Sequence, residues 1–115
     1  MKELEERTLR FAIKIRLYLK GLSPNLLIAE DIKQLVRSSG SVGANYLEAN
    51  EALSKKDFLL HLRISRKEAK ESQYWLNIIH QSYSITKTQT TECEKLIAES
   101  IELRKILSTI ILKSS

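Results

Sequence analysis

The sequence predicts an all-α protein, a single antiparallel up-down-up-down four-helix bundle, and three observations carry that prediction. Apolar residues recur at spacings of three and four through four separate segments, the pattern of helices with one buried face. The period-two alternation of a half-buried strand appears nowhere. Short polar turns join the segments, and helices joined this way pack antiparallel beside one another. At 115 residues the chain can build one core but not two. With 43% hydrophobic and 29% charged residues it has the composition of an ordinary soluble globular domain, which excludes disordered and fibrous classes.

The first helix is expected over residues 3–22. Leu4, Thr8, Phe11, Ala12, Ile15, Leu19 and Leu22 form its main stripe, and Leu9, Ile13 and Leu17 make a second ridge. Gly21 and Ser23-Pro24 stop it, because proline cannot continue the hydrogen-bond ladder and disfavours helical geometry in the residue before it. The second helix is expected over 25–52, with Ile28, Ile32, Leu35, Val36, Val42, Tyr46 and Leu53 on its apolar side. A polar line of Gln34, Arg37, Ser38, Ser41, Asn45 and Glu48 runs along the other side. Small residues at Ser38, Ser39, Gly40, Ser41, Gly43 and Ala44 leave almost no bulk on this helix. Two helical glycines cost about 1 kcal/mol each against alanine, so a close approach of another helix is expected to compensate. The polar line reads as a network that fixes helix register, with Arg37 pairing to Glu48 or Glu71 and Asn45 bonding to a neighbouring helix.

The third helix is expected over 55–82. Ser54 offers its N-cap and Asp57 the reciprocal half of a capping box. Phe58, Leu62, Ser65, Ala69, Leu76 and Ile79 form the stripe, with Leu60, Ile64 and Ile78 beside it. Lys56, Arg63, Arg66, Lys67 and Lys70 crowd the remaining surface; Tyr74 and Trp75 read as core anchors or as interface residues, with the core favoured for the single tryptophan. The fourth helix is expected over 90–113, capped by Thr88, Thr90 or Thr91, with Cys93, Leu96, Ile97, Ser100, Ile101, Leu107 and Ile111 facing inward. Leu103, Ile106 and Ile110 form its extra ridge. Apolar ridges beyond the one stripe a monomeric bundle needs predict that another subunit covers them, the alternative being a broad monomeric core.

Catalytic constellations are scarce. Gly40 and Gly43 lie within a helical pattern with no strand before them, so they form no phosphate loop. His61, Glu68 and Glu71 lack the Glu-x-x-His spacing of di-iron bundles, and Cys93 reads as a small core residue. The expectation is a non-enzyme with no metal or cofactor. The opening M-K-E-L-E-E-R lacks the apolar core of a signal peptide, and no apolar run is long enough to span a bilayer, so a cytoplasmic location is expected.

The net charge is +5 and its distribution is uneven. Six basic residues stand against three acidic in 1–22, two against four in 23–52, six against three in 53–82, and five against four in 83–115. Basic helices favour anionic partners through counterion release. Arg7, Arg10 and Lys14 in the first helix, with Arg63, Arg66, Lys67 and Lys70 in the third, are therefore the expected phosphate contacts for RNA or DNA. Phosphate contacts carry little base specificity. The alternative is a protein-interaction scaffold whose charge serves only solubility.

The motifs R-S-S-G-S-V-G-A-N-Y-L-E-A, S-K-K-D-F and R-K-E-A-K-E-S-Q-Y-W-L, within residues 30–76, resemble the bacterial four helix bundle proteins first noticed in intervening sequences of 23S ribosomal RNA genes. Many members have Glu-Gly where this chain has Glu48-Ala49. The chain is also similar to the accessory variability determinant proteins of diversity-generating retroelements. These resemblances imply a ring-like homopentamer of four-helix bundles with basic surfaces, and as partners a nucleic acid and a reverse transcriptase.

Overall fold

Four periodic stretches become four helices in the computed structural model, which describes residues 2–23 and 25–115: α1 (Lys2–Lys20), α2 (Leu26–Asn50), α3 (Lys55–Ser82) and α4 (Lys87–Ser114). No strand occurs among the described residues. Met1 and Pro24 lie outside them, so the proline stop and the first residue of the opening M-K-E-L-E-E-R are not described.

Each helix end has a local cause. The α1 ladder tightens to i→i+3 bonds, Gly21 N–H to Tyr18 C=O at 3.1 Å and Leu22 N–H to Leu19 C=O at 3.2 Å, so the helix stops at Lys20. Asn25 caps α2 by accepting from the Ile28 N–H at 2.9 Å. The same tightening, Ala52 N–H to Ala49 C=O at 3.1 Å, ends α2 before Leu53. Leu53 is thus fully exposed in the turn, off the apolar stripe the periodicity assigns it to. Ser54 caps α3 through the Asp57 N–H at 3.1 Å, and only this hydroxyl half of the expected box forms.

The start of α4 differs from the expected position. Thr86 is the N-cap, and a complete capping box with Gln89 opens the helix at Lys87. The hydroxyls of Thr90 and Thr91 instead bond carbonyls of their own helix, those of Thr86 and Lys87, at 3.0 and 3.2 Å. A threonine hydroxyl inside a helix reaches back to the preceding turn, which removes it from capping.

The bundle measures 45 × 23 × 20 Å. α1 packs on α2 and α4, α3 packs on the same two, and α1 and α3 lie diagonally across the core. Phe11, Ile15, Leu35, Val42, Tyr46, Leu62, Leu76, Ile79, Leu103 and Leu107 fill that core. The small residues of α2 serve two neighbours. A Cβ added at Gly43 would stand 2.9 Å from Thr8 Oγ1 and 3.2 Å from Thr8 Cβ, so α1 needs this glycine to approach. Towards α3, the Ser65 hydroxyl donates to the Val42 carbonyl at 2.7 Å and the Ser72 hydroxyl to Ser38 Oγ at 2.9 Å, all four residues being buried. Gly40 meets only the Arg16 guanidinium, 3.2 Å from where its Cβ would be. Ala44 is exposed and lines an apolar groove with Leu9, Ile13 and Leu47, so it admits no neighbouring helix within the chain.

The extra apolar ridges divide likewise. Leu9, Ile13 and Leu17 are 61%, 46% and 60% exposed, and Leu60 is exposed too. In α4, Leu103 is fully buried while Ile106 and Ile110 pack half-buried against the core. The bundle itself thus absorbs the α4 ridge and, with Ile64 and Ile78 half-buried, part of the α3 ridge, while the α1 ridge stays uncovered.

Candidate nucleic-acid interface

The polar line on α2 is divided between two roles. Arg37 reaches α3, where its guanidinium contacts Glu68 Oε1 at 3.1 Å and also Glu71. Glu68 is 7% exposed and is the partner that sequence reasoning missed, while Glu48 is exposed and away from this pair. The spacing was available, because Glu68 lies three residues before Glu71 and on the same flank. The Asn45 side-chain amide donates to the Ser41 carbonyl at 2.9 Å, and its oxygen lies 3.3 Å from His61 Nδ1 on α3. The Ser41 hydroxyl bonds the Arg37 carbonyl, and the Gln34 amide bonds Glu30 at 3.2 Å. Arg37 and Asn45 therefore cross to α3, whereas Gln34 and Ser41 bond within α2.

The seven basic candidates fall into two sets on diagonal helices, so one ligand segment can follow only one set along the bundle. On α1, Arg7 forms a forked pair with Glu99 of α4, at 2.7 and 2.8 Å. That hydrogen bond is the main reason the guanidinium holds its proton more tightly than usual. Arg10 and Lys14 are exposed beside it, in a groove that also holds Lys95, Glu92 and Glu99. The nearby carboxylates offset part of the positive field there. Arg16, which the sequence does not single out, donates to the Val36 carbonyl of α2 at 3.2 Å.

On α3 the arrangement is different. Arg63, Lys67 and Lys70 are exposed and form no ion pair among the described residues. Arg66 is half-buried and donates to the Ser108 hydroxyl of α4 at 3.4 Å. Arg104, half-buried one helical turn before Ser108, adds a cation on the α4 side that sequence reasoning missed. Two of the three acids of α3, Glu68 and Glu71, are engaged by Arg37. A salt bridge here thus leaves the cations of the same helix without carboxylate partners.

Other titratable groups belong to the core. Cys93 is fully buried, its thiol donates to the Leu76 carbonyl at 3.5 Å, and burial pushes its pKa up. Burial raises Tyr18 as well, with the neighbouring Cys93 thiol as the next cause. Tyr83 is pushed up to about 12 by burial and by its hydrogen bond to Asp31. Among the described residues no group of three or more His, Cys, Asp or Glu side chains is arranged to hold a metal ion, and no helix is long and apolar enough to cross a membrane.

The fold and the basic face define a small helical protein with a candidate surface for anions. The chain belongs to the 23S rRNA-intervening sequence protein family, whose model matches residues 4–109. It is similar to the crystal structure of a protein of unknown function from the S23 ribosomal protein family of Bacteroides thetaiotaomicron VPI-5482. The two share 36% identity with a TM-score of 0.77, over 94% of this chain and 97% of that one. No curated protein matches the chain at a significant level.

Proposed function

We propose that the protein binds RNA or DNA through the basic face of α3, with little base specificity, as a self-associating up-down-up-down bundle. The observation that carries the reading is the set of unpaired cations Arg63, Lys67 and Lys70, on a helix whose Glu68 and Glu71 are engaged by Arg37. Exposed cations of this kind exchange condensed counterions for phosphates, which favours any nucleic-acid backbone without reading its bases. The ribosomal designation of the structural neighbour's family fits an RNA ligand.

Cross-helix pairs support the antiparallel order. Arg37 meets Glu68 while Asn45 meets His61, and Arg66 meets Ser108 while His80 meets Glu94, so residue numbers fall on one helix as they rise on the next. The uncovered ridge of Leu9, Ile13 and Leu17 supports self-association, and a homopentamer is the assembly we expect. Light scattering at micromolar concentration should report an oligomer, and a monomer would remove that part of the reading. For the function, affinity for a labelled RNA hairpin should fall steeply and linearly on a log-log plot against salt. Absence of binding at low salt, or binding indifferent to salt, would refute it.

A further inference from the structure

The basic face of α3 continues into an aromatic side chain. At about 100° per residue, Lys56, Arg63, Lys67, Lys70 and Tyr74 fall within a sector about 60° wide. The stripe from Lys56 to Tyr74 runs over 19 helical residues, a rise of about 27 Å. The helix's acids Asp57, Glu68 and Glu71 lie about 70–130° from its centre, on the flank where Arg37 reaches across from α2. Of four tyrosines, two phenylalanines and one tryptophan, Tyr74 alone is exposed, at 60%. Its ring is also braced: Trp75 meets it edge to face, with centroids 5.3 Å apart and planes at 76°. Trp75 is itself half-buried against the core, so the exposed ring has a support behind it.

We infer that this stripe takes a single-stranded nucleic acid, with a base stacked on Tyr74 and the neighbouring phosphates on Lys70, Lys67 and Arg63. The inference rests on the nucleic-acid reading proposed above and narrows it. A cationic track provides affinity for either a duplex or a single strand. An exposed, supported aromatic ring adds affinity only for a strand whose bases are free to leave the stack. The paired bases of a duplex present no free face to a ring on a convex helix. Stacking tolerates every base, which agrees with little sequence specificity.

The test uses the full chain with a labelled oligothymidylate and with the same strand annealed to its complement, read by fluorescence anisotropy at low salt. Tyr74→Ala should weaken single-strand binding about tenfold, the order expected for one base-aromatic stack, and leave duplex binding unchanged. Tyr74→Phe keeps the ring and should keep the affinity. The chain has one tryptophan, so the emission of Trp75 should change when the wild-type protein takes up the unlabelled single strand. Equal single-strand affinity for wild type and Tyr74→Ala would overturn the inference, as would a duplex bound as tightly as the single strand. If Lys67→Glu with Lys70→Glu abolishes binding while Tyr74→Ala does nothing, the stacking inference fails and the basic-face reading stands. If the wild-type protein binds neither form, both fail.

Discussion

Gly43 shows how one missing side chain sets the distance between two helices. Its Cβ position is 2.9 Å from the Thr8 hydroxyl oxygen, and Thr8 is itself buried on α1. Gly43→Ala should therefore destabilise the fold by about 1–3 kcal/mol, the range for overpacking a close contact. A urea titration would measure it, and Gly40→Ala should do less because only the movable Arg16 side chain stands in the way. The titratable groups shielded by the core, Cys93 buried and Tyr83 half-buried, make a second prediction. Cys93 and Tyr83 have pKa values above their ordinary 9.0 and 10.0, so the folded protein keeps protons that the unfolded chain releases. That preference has its full effect below pH 9.0, and stability falls as pH rises past each ordinary value, for Tyr83 between 10.0 and about 12. Melting temperature should thus decline on the alkaline side, which thermal scans at stepped pH would check. The need for a close approach at the small-residue stretch was legible in the sequence, because two helical glycines require compensation. Which neighbour approaches was not, since periodicity orients a residue on its own helix and says nothing of the partner's register.

At the scale of elements, α3 was legible to the residue because Ser54 is the one good cap before its periodic run. α4 was less so. Thr86, Thr88, Thr90 and Thr91 all offer hydroxyls, and the choice falls on Thr86 because Gln89 sits three residues on and returns the bond. Substituting Thr86→Ala should cost about 1 kcal/mol and fray the first turn of α4, seen as faster amide exchange from Lys87 to Thr90. Thr88→Ala should leave both unchanged. Glu68 escaped the sequence reading because it is an acidic residue on a largely basic helix and reads as solvated. Burial at 7% exposure and the contact with Arg37 give it a different role, tying α2 to α3 and clearing the basic face of competing charge.

For the whole molecule, the bundle places its two basic sets on diagonal helices and gives them different surroundings. Arg7, Arg10 and Lys14 share a groove with Glu92 and Glu99, and Arg7 is held by the latter. Arg63, Lys67 and Lys70 stand exposed with no ion pair among the described residues. The sequence separated basic quarters from acidic ones, but it gave both basic helices equal weight, since a carboxylate on α4 that neutralises α1 is invisible until the helices pack. These surroundings favour α3 over α1 as the face that would meet nucleic acid under the proposed function. The most direct measurement compares two charge reversals of equal size, Lys67→Glu with Lys70→Glu against Arg10→Glu with Lys14→Glu, in binding a labelled RNA at low salt. A binding face on α3 predicts a large loss of affinity and a shallower salt slope for the α3 pair, with a much smaller change for the α1 pair. Equal losses from both pairs, or a larger loss from α1, would contradict it.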